Sequence, residues 1–494
     1  MLPEDDARLL LSERLGASRL RAEPDAAEQA IRRCGRLPLA LAIVGARLSC
    51  RTDLSLSDAA DLARPGLEPF AHEDPAIDLR EVLGRSYRDL PEPAARLFRL
   101  LGRDSGAHLP LAAVSSLAAL PVPVARETVT RLDHANLVEL RMGGRLRLHD
   151  LLREYAAERS RDTDDQPVRQ AATRRLLDHY VHTAAAASAA CHPHRENMPL
   201  DPPRSGVIVQ AFAGPAQATR WFVAESLPAL LAEAVATGLD RHAWLLGWGF
   251  SDFGQRRGPW TEILDVQEVA LGAAERLGDG LAAARCHNSL ARAHLRLGHD
   301  GDAVTHFERA LRLHADFDEP VLEAHVHLGL TVPLSRIRPG RELGHAVRAM
   351  ELFRQAGDAI GKPRALINTS WWRAKRGEYE QTLEESRRSQ RLLAEFGSAQ
   401  GEGHAWDSIA YVLNALGEHA QADECHERAA DLLQSCDDLH AAAETLVRLG
   451  ETQAEASNAE AAYDAWKRAI ECYEAVGDAN ATKIRQRAQA LRNR

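Results

Sequence analysis

Apolar residues recur at helical spacing through the C-terminal half of the chain, and short polar turns interrupt them at a regular interval. One series of turns, spaced by about 40 residues, comprises Gly278-Asp279, Asp318, Gly357-Asp358, Gly397-Ser398, Asp437-Asp438 and Gly477-Asp478. A second series lies half a period out of phase, at Leu297-Gly298, Arg376-Gly377, Leu416-Gly417 and Ser457-Asn458, with the irregular Arg338-Pro339-Gly340 between them. Two turns per period predict a helix-turn-helix unit that is stacked about five times.

Small residues occupy the positions where the two helices of each unit must approach closely. In the first helix they are Ala291, Ser370, Ala410 and Gly450, and in the second they are Ala303, Ala422 and Ala462. This pattern resembles a tetratricopeptide repeat (TPR) array in its longer form, of roughly 40 residues per unit, over residues 265–480. The resemblance implies an α-solenoid that serves chiefly as a binding surface.

The N-terminal third shows shorter helical patterns and one strand pair. Helices are predicted at Pro3–Gly16, Pro24–Leu48, Leu79–Leu101, Leu111–Leu120 and Ala125–Ala135. Apolar residues then alternate on both sides of Gly143-Gly144, which predicts a two-stranded hairpin with a tight turn, and the helix Asp150–Arg161 follows. Helices on both sides of a hairpin suggest a winged-helix module. We therefore expect an all-α chain with one small β-hairpin, ending in a TPR α-solenoid.

Composition adds constraints on location and partners. The 494 residues are 45% hydrophobic, 27% charged and 5% aromatic, and their formal net charge is −10. That charge argues against a basic surface along the whole chain, although not against one basic domain. The seven cysteines form no C-x-x-C pair, so we expect reduced thiols in a cytoplasmic protein. The acidic start does not resemble a secretory signal, and no apolar stretch reaches the length of a membrane span.

Two short motifs carry a more specific resemblance. Cys34-Gly35-Arg36-Leu37-Pro38 resembles the G-x-P motif in the helical lid of STAND ATPases of the NB-ARC class, and Leu148-His149-Asp150 resembles their M-H-D motif at the end of the winged helix. With the TPR array, they make the chain similar to actinobacterial regulators of the AfsR/SARP type, which control secondary metabolism. The resemblance implies a helical lid (1–76), a winged helix (77–161), a helical bridge (168–264) and a TPR array with a C-terminal cap helix (265–494).

By this resemblance, Pro38 packs near a bound nucleotide and His149 contacts its phosphate. The alternative is purely structural: Pro38 starts a helix, and His149 caps the last winged-helix helix beside Asp150 as N-cap. The sequence contains no P-loop, because the only Gly-Lys pair is Gly361-Lys362 and a proline follows it. We therefore expect no ATP hydrolysis by this chain alone. ATP or ADP would require a separate nucleotide-binding domain, from a P-loop NTPase partner or from an N-terminal half that this sequence lacks.

The winged helix is also a candidate for DNA contact. The arginines that would contact phosphates are Arg126, Arg131, Arg141, Arg145 and Arg147. The recognition helix also carries Glu127 and Asp133, whereas phosphate contacts need a concentrated basic stripe. DNA binding is therefore the weaker interpretation. We expect neither a catalytic site nor a metal site, because no hydrolase motif and no four-ligand zinc pattern occurs.

The inner face of the array is the predicted ligand groove. Aligning the first helices by the repeat places the following side chains on it: Arg285, Asn288, Arg292, His325, Arg364, Asn368, Trp371, Lys375, His404, Asp407 and Tyr411. Guanidinium groups bind carboxylates, amides bind peptide backbone and aromatic rings anchor interfaces. The sequence thus predicts a non-catalytic sensor or adaptor that binds a protein or peptide and relays this through the winged helix. The alternatives are a DNA-binding regulator and a TPR scaffold acting on a small molecule.

Overall fold

The computed structural model gives the arrangement of most of the chain. It describes residues 2–34, 36–49, 56, 67, 78–102, 108–141, 143–193, 198–225, 227–258 and 260–492. These residues form two units: Met1–His182 with Asp201–Gln210, and Thr183–Leu200 with Ala211–Arg494. Much of the predicted lid after residue 49 therefore lies outside the described residues. So does Gly35 of the G-x-P motif.

The first unit begins with four helices. They are α1 (Glu4–Leu15), α2 (Ala17–Ala22), α3 (Pro24–Arg33) and α4 (Pro38–Ser49). Helix α1 packs on both α3 and α4, and Leu11, Ile31 and Leu41 are almost fully buried. The prediction of a single helix over Pro24–Leu48 is wrong, because helix α3 ends at Arg33 and a new helix, α4, begins at Pro38. Proline fits the first helical position, where no backbone N–H is needed.

A winged-helix arrangement follows. Its elements are α5 (Leu79–Arg88), α6 (Glu92–Leu101), β1 (Leu109–Pro110), α7 (Leu111–Ala118), α8 (Val122–His134), β2 (Glu139–Arg141), β3 (Arg145–Arg147) and α9 (Asp150–Thr163). The predicted hairpin is present as β2 and β3, with Leu140 opposite Leu146. The short strand β1 adds a third member and pairs Leu109 with Leu146, so the order is β1-β3-β2. The predicted helix Leu79–Leu101 is divided in two at Asp89–Pro91.

A buried arginine ties this arrangement together. The guanidinium of Arg99, in α6, is only 4% exposed. It donates to Asp164 beyond the end of α9 at 3.0 Å, to the Tyr87 hydroxyl in α5 at 2.9 Å and to Glu92 at 2.9 Å. Burial acts to lower the pKa of Arg99, but these partners outweigh it and raise the pKa. Asp164, at the C-terminal end of α9, is therefore part of a structural ion pair.

The remainder of the first unit comprises α10 (Gln166–Cys191) as far as His182, and the segment Asp201–Gln210. In that segment the backbone N–H of Ile208 donates to the Ser116 hydroxyl in α7 at 2.9 Å. His179 of α10 is fully buried and its Nδ1 lies 2.5 Å from the Ile208 carbonyl oxygen. Burial lowers the pKa of His179 to about 4, although this backbone hydrogen bond opposes the shift. The imidazole is therefore neutral at neutral pH.

The second unit is a succession of helices. They are α11 (Pro215–Ala224), α12 (Leu227–Ala236), α13 (Asp240–Arg257), α14 (Trp260–Leu277), α15 (Gly280–Arg296), α16 (Asp300–His314), α17 (Pro320–Ile337), α18 (Glu342–Gln355), α19 (Gly361–Ala374), α20 (Tyr379–Glu395), α21 (Ala399–Ala415), α22 (His419–Ser435), α23 (Leu439–Glu455), α24 (Ala459–Ala475) and α25 (Asn480–Arg492). From α13 to α24 they pack as successive antiparallel pairs, and α25 covers the last pair. The fold class predicted from the sequence is confirmed. One further pair, α13–α14, begins before the predicted start of the array at residue 265.

Close packing within and between pairs explains the small residues. A Cβ on Gly329 would lie 2.3 Å from the Phe307 ring, and one on Gly450 would lie 2.3 Å from Trp466 Nε1. Both rings belong to the second helix of a pair, and both are buried. Glycine therefore allows an aromatic side chain to fill the space beside the first helix.

The first helices of successive pairs form the inner side of the array. Helix α13 packs on α15, α15 on α17, α17 on α19 and α19 on α21. The array also contacts itself, because α13 packs on α23, five pairs away. Arg257, at the end of α13, forms two hydrogen bonds with Asp437, of 2.6 and 2.7 Å. Gly258 has a φ of +61° and lies so close to the Val476 carbonyl that a Cβ would be 2.5 Å from its oxygen.

Candidate functional site

Three of the predicted groove residues form one aromatic and cationic cluster. Trp371 of α19 and Tyr411 of α21 stand with ring centroids 4.8 Å apart. The exposed Lys375 places its ammonium 5.0 Å from the Trp371 centroid and 4.2 Å from the Tyr411 centroid. Both rings are half-buried. A cation above two rings that remain partly open to solvent is a surface able to hold an extended ligand.

A partly buried ion pair lies beside this cluster. Asp407 of α21 is 6% exposed and accepts two hydrogen bonds from Arg448 of α23, of 3.0 and 2.7 Å. His426 of α22 is 3.3 Å from the same carboxylate. Burial alone would raise the pKa of Asp407, but Arg448 and His426 outweigh it and hold the pKa well below its usual value. The Arg448 guanidinium carbon also lies 5.8 Å from the Trp371 centroid, so the ion pair contacts the ring.

Arg448 and His426 are candidate functional-site residues that the sequence pattern did not reveal. Arg448 continues a column of residues at the 40-residue spacing, after Asn368 and Ser408. Extending that column by one more period would have found it. His426 lies in a second helix, outside the columns assigned to the inner face.

The other predicted groove residues have different surroundings. Arg285 is 6% exposed and its guanidinium stacks 5.0 Å from the Trp248 ring of α13, so it joins two neighbouring pairs. Asn368 accepts from Trp372 Nε1 at 3.1 Å and serves the packing of α19. The half-buried residues along the rest of this face are Asn288, Arg292, His325, Arg364 and His404. His325 stands edge-on to Phe353, 5.1 Å away, and burial lowers the pKa of His404.

A second polar cluster lies where the array contacts itself. His440 of α23 donates to Asp478 at 2.9 Å, lies 3.6 Å from Glu444 and stands edge-on to Trp260 of α14. Burial and the charge of Arg296 act to lower the pKa of His440. The two carboxylates outweigh both effects, so the pKa is raised. The contact with the first pair is made by the His440 ring itself, which stands against Trp260.

The two residues assigned to nucleotide sensing occupy helix starts. Pro38 is the exposed first residue of α4. His149 is 8% exposed, and its Nδ1 accepts a hydrogen bond from the backbone N–H of Leu151 at 3.3 Å. The N-cap of α9 is thus His149 itself, and Asp150, which we expected to be the N-cap, is the first helical residue. An imidazole nitrogen that accepts here satisfies one of the open amides of the helix.

The arginines that were candidates for DNA contact are mostly paired with nearby acceptors. Arg131 lies 2.8 Å from Glu127, Arg141 lies 3.3 Å from Glu139, and Arg147 lies 4.0 Å from Glu139. Arg145 donates to the His108 carbonyl at 2.9 Å, and Arg126 is exposed on α8. Because carboxylates lie between these arginines, the positive charge on this surface is not continuous. Phosphate binding is favoured by a continuous basic stripe.

A further group of side chains was missed from the sequence. Among the residues that the structure describes, His294, His299 and Asp302 bring one potential metal-ligand atom each within 4.8 Å of the others. They span the turn between α15 and α16, in the spacing H-x4-H-x2-D. Across the described ranges, no helix is both long and apolar enough to cross a membrane.

The repeat architecture agrees with a comparison of the sequence with known families. Residues 243–316, which cover most of α13 and all of α14 to α16, match the family model of the tetratricopeptide repeat. Paired helices, close packing at small residues and this match together define a protein with a TPR array.

Similar proteins identify the class of protein more specifically than the repeat does. The chain is 31% identical over 378 residues to the regulatory protein AfsR of Streptomyces griseus, covering 75% of this chain and 38% of that protein. It is 30% identical over 410 residues to the regulatory protein AfsR of Streptomyces coelicolor, covering 80% and 41%. The chain is thus AfsR-like, which confirms the resemblance predicted from its motifs. It spans about two fifths of the length of the curated relatives it matches.

A solved structure also aligns with the chain. It is a signal transduction ATPase with numerous domains (STAND) from Pyrococcus horikoshii that carries a tetratricopeptide repeat sensor. The alignment covers 99% of this chain and 72% of that chain, with 14% identity and a TM-score of 0.42.

Proposed function

We propose that this chain is the sensor portion of an AfsR-like transcriptional regulator, and that it binds a protein or peptide on the inner face of its TPR array. The observation that carries the proposal is the cluster of Trp371, Tyr411 and Lys375. Two aromatic rings from neighbouring pairs and a solvent-exposed cation meet on that face, beside an ion pair that fixes their surroundings.

The chemistry of the cluster favours a ligand with an apolar side chain followed by a carboxylate. An apolar or aromatic side chain would lie against Trp371 and Tyr411, because two adjacent rings offer large apolar area with little loss of conformational entropy. The carboxylate would pair with Lys375, whose ammonium has three donors and can turn from the rings toward an anion. Asp407 would not repel that anion strongly, because Arg448 already neutralises it.

The regulatory step follows from the AfsR resemblance. In this proposal, ligand binding changes the stability of the winged helix, α5 to α9, and that module passes the signal on. A nucleotide-binding domain, supplied by a longer chain or by a partner, would be the recipient. The chain itself would act in the cytoplasm and catalyse no reaction.

A binding experiment tests the groove. The purified chain would capture partners from a lysate of the source bacterium, and each captured protein would then be purified and titrated into the chain by calorimetry. Lys375→Glu is expected to weaken binding by about tenfold or more, which corresponds to about 1.4 kcal/mol. Lys467→Glu is the matched control, since Lys467 is exposed on the second helix α24 and the change in charge is the same.

The comparison of the two variants decides the outcome. Equal affinity of both variants for every purified partner would refute groove binding. A partner that is lost only with Lys375→Glu supports it. Hydrogen exchange in α5 to α9, measured with and without that partner, would then test the relay. Unchanged exchange there would contradict the regulatory step while leaving the binding step intact.

DNA binding through the winged helix is the second candidate, and the geometry favours it less. Most of the five candidate arginines have a carboxylate or carbonyl partner nearby. A gel shift with promoter DNA of the source bacterium would support this candidate only if binding weakened steeply with salt and if an Arg126→Ala variant bound less tightly. A TPR scaffold acting on a small molecule would require turnover, and no observation favours it.

A further inference from the structure

The corner between α15 and α16 gathers metal-ligand side chains. His294 lies in the last turn of α15, His299 is the N-cap of α16, and Asp302 is in its first turn. Gly298 takes a φ of +76°, and the backbone N–H of His299 bonds to the His294 carbonyl at 2.9 Å. The chain therefore doubles back at Gly298. Residues five positions apart are brought side by side.

The geometry of the two imidazoles matches that of a zinc site. Their Nδ1 atoms are 3.4 Å apart. A tetrahedral zinc ion with Zn–N bonds of about 2.0–2.1 Å separates two nitrogen ligands by roughly 3.4 Å. The donor atom that Asp302 contributes lies within 4.8 Å of both imidazole donor atoms, and small side-chain rotations would bring it to the ion. Two imidazoles and one carboxylate form a ligand set that suits zinc and the neighbouring divalent transition metals.

The equivalent corner in another pair shows what is unusual here. Counted from the turn glycine, Arg373 takes the place of His294 and Glu378 the place of His299 in the α19–α20 corner. Those two side chains form an ion pair of 3.8 Å, and Arg373 also reaches Glu385 at 2.5 Å. In the α19–α20 corner, an ion pair therefore joins the two helices. The α15–α16 corner instead presents three electron-pair donors to the same space.

Neighbouring side chains hold the first ligand in place. The ring of His306 stacks on that of His294 with centroids 5.3 Å apart and planes 21° from parallel. His306 in turn lies 2.9 Å from His287, measured between their Nδ1 atoms. This stacking restricts rotation of the His294 ring. His294 is half-buried while His299 and Asp302 are exposed, so an ion can reach the site from solvent.

We propose that His294, His299 and Asp302 bind a divalent transition-metal ion, with zinc as the best fit, and that water completes the coordination. The ion would join the last turn of α15 to the first turn of α16. It would stabilise this helix pair by the free energy of its binding to the folded chain. The site is separate from the Trp371 cluster, and it does not depend on the proposed groove function.

The test uses the full chain, purified without a histidine tag and stripped with a chelator. Zinc chloride alone is titrated by calorimetry, and cobalt(II) replaces zinc as an absorption probe of tetrahedral coordination. We expect one ion per chain. His299→Ala and Asp302→Ala should each weaken binding by at least about tenfold, since even the loss of a supporting contact has that effect. Zinc should raise the melting temperature of the wild-type chain but not that of His299→Ala.

His419→Ala provides the matched control. His419 also follows a repeat turn, and its Nδ1 lies 2.6 Å from Asn414 Oδ1, but among the described residues it belongs to no such group of three ligands. This variant should bind zinc as the wild type does. Equal zinc affinity of His299→Ala and His419→Ala would overturn the proposal. So would weak binding of several ions that none of these variants changes, because the chain carries 21 histidines.

Discussion

Replacing Asp407 with asparagine tests the ion pair that supports the candidate groove. Asparagine keeps the shape of the side chain but removes the charge that Arg448 and His426 face. Removing one partner of a fully buried pair typically costs about 3–5 kcal/mol. The Asp407 side chain is 9% exposed and that of Arg448 is 27% exposed, so solvent screens part of this interaction. We therefore expect a loss of about 2–4 kcal/mol.

The loss should be local and should depend on pH. Repeat arrays open in parts, so native-state hydrogen exchange of α21 and α23 is the suitable measurement. An unfolded aspartate has a pKa of about 3.9. The pKa of Asp407 in the folded chain lies below that value. The stabilisation is therefore fully present above the unfolded pKa and is lost as the pH falls through the folded pKa. The difference between wild type and variant should be full at neutral pH and should shrink in acid.

A matched surface variant shows what would refute this reasoning. Asp431→Asn removes the same charge from an exposed position on α22, and it should change the free energy of opening by less than about 0.5 kcal/mol. If Asp407→Asn behaves like Asp431→Asn at neutral pH, the ion pair contributes no net stability. A double-mutant cycle with Arg448→Gln would then show no coupling between the two positions.

Three further predictions concern packing, closure and protonation. Gly329→Ala forces a Cβ against the buried Phe307 ring and should destabilise the chain by about 1–3 kcal/mol in urea denaturation. Its control is Gly344→Ala, in open space on α18, which should stabilise the chain by roughly 0.5–1 kcal/mol. Arg257→Gln should speed hydrogen exchange in both α13 and α23, whereas Arg276→Gln, which removes an exposed pair with Asp240, should not. Burial lowers the pKa of His179 to about 4 from 6.5, so the unfolded state gains its proton first as the pH falls. Stability should therefore drop between these two pH values, and His179→Phe should reduce the slope of unfolding free energy against pH.

The repeat and its small residues could be predicted because period, turns and packing positions are local in sequence. Strand β1 could not, because two residues carry no alternating pattern and this strand exists only by pairing with β3. The ends of α3 and α5 were also missed, since the apolar pattern continues into α4 and α6. The available signal was a proline at the start of the second helix in each case, Pro38 for α4 and Pro91 just before α6. Proline favours the beginning of a helix and disfavours its interior.

The candidate site could be predicted in part. Repeat spacing placed Trp371, Lys375 and Tyr411 on one face, and they do lie together. It also placed Arg285 there, but this side chain is covered by Trp248 of the preceding pair, whose position no spacing argument supplies. The Arg257–Asp437 pair joins residues 180 positions apart. Such a contact depends on the accumulated curvature of all the intervening pairs, which the sequence pattern does not specify.

That contact changes the thermodynamics of the array. An open TPR array behaves as a one-dimensional chain in which each repeat is coupled only to its neighbours, so it can fray from either end. Here the first and last pairs are each other's neighbours as well, through Arg257 with Asp437 and Trp260 with His440. Neither end is a free boundary. Fraying must begin by breaking this junction, and a ligand that loosens it converts a closed cooperative unit into one with two independent ends.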